Sequence, residues 1–169
     1  DEDNVPNARG FDEFVGFPGG AHPYRWSKNS KLEHNGTLIK TDKHFTDVFA
    51  DEAIRFIKEK KDQPFFCYLA FNAVHGPLRA EKRDADSARP DWLKKYEDWG
   101  VEQPRRDYNA VMSHADNRVG DVLDTLDEVD LTENTLVIYL SDNGGITHTY
   151  PSNNGPLRGG KGESWEGGL

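Results

Sequence analysis

Four residues carry the chemistry this sequence could perform: Asp142, Asn143, His75 and Lys161. Asp142 and Asn143 are adjacent hard oxygen donors, which suit Ca2+ or Mg2+ rather than a soft metal. Asp-Asn-Gly-Gly is also good turn chemistry, and taken alone the turn is the better reading. His75, one of six histidines, sits in Asn72-Ala73-Val74-His75-Gly76-Pro77 after an apolar run, with Pro77 stiffening the loop. It could be a solvated loop side chain, or an acid or anion donor working near neutral pH, and spacing leaves both open. Lys161 lies in Gly155-Pro156-Leu157-Arg158-Gly159-Gly160-Lys161-Gly162, a glycine-rich loop able to cradle an oxyanion. The Gly-Lys-Ser/Thr order of a nucleotide-phosphate loop is absent, so a plain surface loop is the better unaided reading.

Such residues act together only if the fold gathers them. Asp42 can cap a helix whose apolar positions Phe45, Val48, Phe49, Ala53, Phe56 and Ile57 repeat at three and four. Lys58, Lys60 and Lys61 suit its last turn, and Pro64 ends it. Phe65 to Phe71 is a continuous apolar run, as expected of a strand buried on both faces. A second helix is expected over Asp107 to Val129, with Tyr108, Val111, Met112, Ala115, Val119, Val122, Leu123 and Leu126 on one stripe. Thr135 to Leu140 then reads as another buried strand.

Strand, crossover helix and strand imply a parallel unit in an α/β sheet, whose ligand crevice lies beyond the carboxyl ends of the strands. The loops after Phe71 and Leu140 should therefore meet, bringing His75, Asp142, Asn143 and Lys161 to one edge. Residues 1–40, rich in Gly, Pro, Asn and aromatics, read as irregular loop. Residues 79–106 are charged and interrupted by proline, and Trp92, Tyr96 and Trp99 at helical spacing predict a short amphipathic helix with its rings inward. Sugar stacking by those rings is the weaker alternative.

At 169 residues, one domain can bury about 70% of its unfolded surface. With 4 Trp, 6 Tyr and 9 Phe the chain is too aromatic for a disordered segment. A net charge of −9 argues against nucleic acid or an anionic membrane surface as the main partner. The longest apolar runs are too short to span a bilayer, and the acidic, polar stretch of residues 1–10 does not resemble a signal peptide. The single cysteine, Cys67, cannot close an intramolecular disulfide and reads as a small buried hydrophobe. Asn35-Gly36-Thr37 is a glycosylation triplet that carries no weight by itself.

The ordered set of short motifs resembles the type I, formylglycine-dependent sulfatases along essentially the whole chain. It runs from Phe11-Asp12-Glu13-Phe14 with Gly19-Gly20-Ala21-His22, through Pro64-Phe65-Phe66 leading to His75-Gly76-Pro77, to Leu136–Gly144 ending in Ser-Asp-Asn-Gly. Gly159-Gly160-Lys161-Gly162 before Glu166-Gly167-Gly168 completes it. The resemblance implies an alkaline-phosphatase-like α/β domain with a mainly parallel buried sheet flanked by helices, of which residues 1–169 would be an internal part. It also implies hydrolysis of a small-molecule or glycan sulfate ester, a carbohydrate or aryl sulfate, in an exported protein of the periplasm, the lysosome or the exterior. Asp142 and Asn143 match the family's second pair of ligands to a single Ca2+, with Mg2+ the second choice. His75 and Lys161 match a histidine and a lysine that contact the sulfate and its leaving oxygen. His22, His34, His44, His114 and His148 are not carried over.

The departure from the family is at the nucleophile. Its formylglycine is made from cysteine or serine in a Cys-x-Pro-x-Arg-like context, whereas Cys67 is followed by Leu69 and Phe71 at the second and fourth positions, and no serine has that context. The family's first pair of metal-binding aspartates is not matched either. The expectation is a segment inactive alone, with the nucleophile region before it and a C-terminal region after it. A phosphodiesterase or phosphonate hydrolase of the same superfamily is the alternative enzyme, but two-metal relatives need a histidine beside the aspartate where Asn143 stands. A non-catalytic binding module is the alternative of another class.

Overall fold

The computed structural model describes residues 5–20, 22–76, 87–148 and 150–169. Pro77 and the start of the charged stretch at 79–86 lie outside them. Residues 1–40 hold more order than their composition promises. They contain β1 (Val15–Gly16), β2 (Glu33–His34) and β3 (Thr37–Leu38), an antiparallel sheet in that order. The β2–β3 turn is Asn35-Gly36, both at positive φ (48° and 80°), as a two-residue hairpin with strand-matching twist requires. Asn35 Oδ1 accepts the Phe14 N–H at 2.8 Å, so the asparagine of the glycosylation triplet is engaged in fixing this turn.

Helix α1 (Phe45–Lys60) packs over that sheet. Phe45, Val48 and Phe49 join Leu32 in a buried cluster flanked by Val15, Phe17, Trp26 and Ile39. The expected spacing holds, but the cap does not. His44, not Asp42, caps the helix, its Nδ1 accepting the Thr46 N–H at 3.2 Å. Asp42 is exposed and two residues too far back for its side chain to take the N-cap place, whereas the His44 ring is held in the core.

Helix α2 (Pro90–Asp98) and helix α3 (Arg105–Glu128) follow. Trp92 and Tyr96 pack towards α3 as expected, and Tyr96 Oη lies 2.6 Å from Ser113 Oγ. Trp99 falls past the end of α2 and stays 64% exposed. On α3 the buried face is Asp107, Ala110, Val111, His114, Thr125 and Leu126, while Met112 and Leu123 of the expected stripe are exposed. That stripe had two purposes: one side meets α1 and α2, and the other is covered by no element among the described residues.

The class is α/β, but the mainly parallel buried sheet is not found among the described residues. The antiparallel sheet is the one present, and the runs at 65–71 and 135–140 pair with no strand there. Phe65, Leu69 and Phe71 are half-buried, and the latter two lie against the α1 cluster. Phe66 and Tyr68 point out at 73% and 74% exposure, and Cys67 is exposed rather than buried. Leu136 to Leu140 are all exposed. A strand buried on both faces needs flanking strands and helices on each side, and here the first run has cover on one face and the second on neither.

Candidate active site

The site begins with backbone. At Gly144 an added Cβ would meet Gly167 O at 1.7 Å, and at Gly160 it would meet Gly145 O at 2.6 Å. Glycine is therefore what lets the Asp142–Gly145 loop lie flat against the 159–168 loop. Lys161 N donates to Gly145 O at 3.2 Å, and Gly167 N to Arg158 O at 2.8 Å. Asn154 fastens the junction: its Oδ1 accepts from Gly145 N at 2.9 Å, while Nδ2 donates to Gly145 O and Gly159 O at 3.2 and 2.9 Å. The two motifs that the sequence sets far apart are thus one backbone unit.

Asp142 and Asn143 stand at its rim. Asn143 Nδ2 donates to Asp142 Oδ2 at 2.7 Å, which leaves Asn143 Oδ1 and Asp142 Oδ1 as the oxygens available to a cation. In kind this donor pair fits a hard divalent ion, and in number it supplies part of the six to eight oxygens that Ca2+ takes.

His75 lies in a separate loop that touches Tyr150 through Gly76. The loop Asn72–Gly76 closes on itself through His75 N to Asn72 O at 2.8 Å. Tyr24 Oη donates to Asn72 O at 3.1 Å and to His75 O at 2.9 Å, and Asn72 Nδ2 donates to His22 O at 3.0 Å. An added Cβ at Gly76 would lie 2.0 Å from Tyr150 Oη, so this loop presses on Tyr150, whose N–H bonds Ile146 O beside Gly145. His75 is exposed, with Nδ1 2.7 Å from Gly76 O. A proton on Nδ1 satisfies that carbonyl and leaves Nε2 to exchange protons with a ligand.

Sequence reasoning passed over Tyr24, whose carbonyl partners are distant in the chain, and Asn154, whose partners belong to the two loops on either side of it. It also passed over His44, Asp47 and His114, whose donor atoms lie within 4.8 Å of one another between α1 and α3. Two imidazoles and a carboxylate have the composition of a metal site, yet most of their bonds are already made, His114 Nδ1 alone of their ring nitrogens being buried without a partner. His44 accepts from Thr46 N through Nδ1 and meets Ser87 O through Nε2 at 3.1 Å. Asp47 Oδ1 lies 2.8 Å from His114 Nε2, and two guanidinium groups, those of Arg89 and Arg118, stand 3.5 and 3.7 Å away. A divalent ion there would face two arginines, so the cluster is a clamp. Burial pushes the His44 imidazole down to about 4 and lowers His114 as well. Burial works upward on the Asp47 carboxyl, but the His114 bond and the neighbouring cations hold it below its ordinary range.

The structure thus joins an oxygen-donor pair to a lysine-bearing glycine loop, and sets the loop of His75 against Tyr150. The sulfatase family model matches residues 1–169, and the chain belongs to that family. It is 38% identical over 153 residues to a sulfatase of Formosa agariphila, covering 82% of this chain and 26% of that protein. It is 32% identical over 184 residues to the N-acetylgalactosamine-6-sulfatase of Canis lupus familiaris, covering 97% and 32%. Among solved structures, Ps i-CgsB in complex with k-i-k-neocarrahexaose superposes with a TM-score of 0.85 at 33% identity, covering 98% of this chain and 39% of that one. The chain thus spans about a quarter to a third of the length of these curated relatives.

Proposed function

We propose that this chain carries the sulfate- and leaving-group-binding part of a sulfuric ester hydrolase acting on an organic sulfate, a carbohydrate or aryl ester. The observation that carries the reading is the bond from Lys161 N to Gly145 O, which joins the lysine loop to the Asp142–Asn143 loop. Relatives named as sulfatases and a structural neighbour solved in complex with k-i-k-neocarrahexaose support the same substrate class. Asp142 and Asn143 would hold Ca2+, which when bound supplies positive charge to the sulfate oxygens. Lys161 adds a second cation for those oxygens and for the ester oxygen as charge grows on it. His75 holds a proton on Nε2 and gives it to the departing alcohol as the sulfur–oxygen bond breaks. The nucleophile is a formylglycine supplied from outside these residues. The family's exported location belongs to this proposal; among the described residues no helix is long and apolar enough to cross a membrane.

The test is Asp142→Ala in an active enzyme that contains residues 1–169. Ca2+ affinity by calorimetry and turnover of 4-nitrophenyl sulfate should fall together, each by about tenfold or more. Unchanged Ca2+ affinity would remove Asp142 from the site. Faster turnover of bis(4-nitrophenyl) phosphate than of the sulfate would favour a phosphodiesterase instead.

A further inference from the structure

We propose that Tyr24 is a positioning residue for His75, its hydroxyl locking the backbone that presents the imidazole to the leaving oxygen. This rests on the reading of His75 as proton donor. Tyr24 is 4% exposed, and its hydroxyl lies 3.1 Å from Asn72 O and 2.9 Å from His75 O, the two ends of the turn that carries His75. One phenolic proton shared between two carbonyls ties the turn at both ends. The ring cannot drift, because it stacks on His44 at 5.2 Å between centroids, and His44 in turn packs edge-on to His114 at 4.7 Å. His44 caps α1 and its Nε2 meets Ser87 O. A rigid column of three buried rings therefore runs from the α1–α3 contact to the backbone of an exposed histidine.

Buried columns of this kind are worth more than packing when what they hold must be placed finely. Misplacing a catalytic group by about 1 Å can cost about a hundredfold in rate. Tyr24→Phe keeps the ring stack and removes only the hydroxyl, so the loop gains freedom while the core stays filled. Asn72 O retains the His75 N–H as partner, and His75 O loses its tie.

The experiment compares aryl sulfates of rising leaving-group pKa, from 4-nitrophenyl sulfate to phenyl sulfate, in an active enzyme containing residues 1–169. If His75 donates the proton, His75→Ala loses most on the poorest leaving group, where donation contributes about a hundredfold or more. Tyr24→Phe should show the same steepening at smaller size, about tenfold on phenyl sulfate and little on 4-nitrophenyl sulfate. Adding it to His75→Ala should cost nothing further. The steepness is a ratio between substrates, so a lower folded fraction cannot imitate it. A steep His75→Ala series beside a flat Tyr24→Phe one overturns the proposal alone, as does a Tyr24→Phe loss that persists in full in the double variant. A flat His75→Ala series removes the proton-donor reading and the proposal with it.

Discussion

A methyl group at position 144 would have to occupy space 1.7 Å from Gly167 O, which is backbone and cannot swing aside. Gly144→Ala should therefore part the Asp142–Asn143 loop from the lysine loop while leaving α1, α2 and α3 untouched. In an active enzyme containing residues 1–169, turnover should drop by about a hundredfold, as for a misplacement of about 1 Å, with the far-UV circular dichroism of the helices unchanged. Turnover within twofold of the parent would show that the junction is dispensable. At this scale the sequence names the residues whose chemistry is intrinsic: a carboxylate, an amide, a lysine and a histidine at loop positions. Tyr24 and Asn154 stay hidden because a tyrosine among many aromatics, or an asparagine in Pro-Ser-Asn-Asn-Gly, looks like packing or turn chemistry. Their meaning lies in carbonyls that only the folded chain brings near.

Helices are legible from period, but the short strands β1 to β3 and a polar clamp between helices are not. His44, Asp47 and His114 fall on α1 and α3 or at their ends, and buried polar residues there break the apolar pattern instead of extending it. Their burial has a consequence with a definite sign. The unfolded chain protonates His44 near the ordinary 6.5, the folded one only at about 4. Between those values the unfolded state binds more protons, so the stabilisation is full above pH 6.5 and is lost as pH falls towards 4. The span corresponds to about 3 kcal/mol, with His114 acting in the same direction and the lowered Asp47 carboxyl adding a loss only in more acid solution. Urea midpoints measured from pH 7.5 down to 5 should fall steadily. His44→Asn keeps an N-cap acceptor and cannot titrate, so it should be less stable at pH 7.5 with a flatter profile. An equally steep profile in that variant would place the proton uptake elsewhere.

Across the whole molecule, two apolar runs declare what must be covered without declaring by what. Burial on both faces was the natural expectation for Phe65–Phe71 and Thr135–Leu140, because nothing in a continuous hydrophobic run says which neighbours will supply the cover. In the folded chain Leu136, Ile138 and Leu140, which strand geometry would set on one face, are 86%, 71% and 73% exposed. Met112 and Leu123 of α3 add to the open apolar surface. An uncovered, β-prone row of this kind is a template for pairing with another chain. The chain of residues 1–169 by itself should therefore self-associate with rising concentration in analytical ultracentrifugation. Leu136→Lys with Ile138→Lys should shift it back towards monomer while preserving helix content, since neither side chain is buried. Monomer at every concentration for the parent chain would mean that the two runs are covered after all. Neither form should turn over 4-nitrophenyl sulfate, because no cysteine or serine in the chain stands in the context from which the family makes its nucleophile. Saturable, Ca2+-dependent turnover by the isolated chain would instead require a nucleophile among residues 1–169, and would overturn the assignment of formylglycine as the nucleophile.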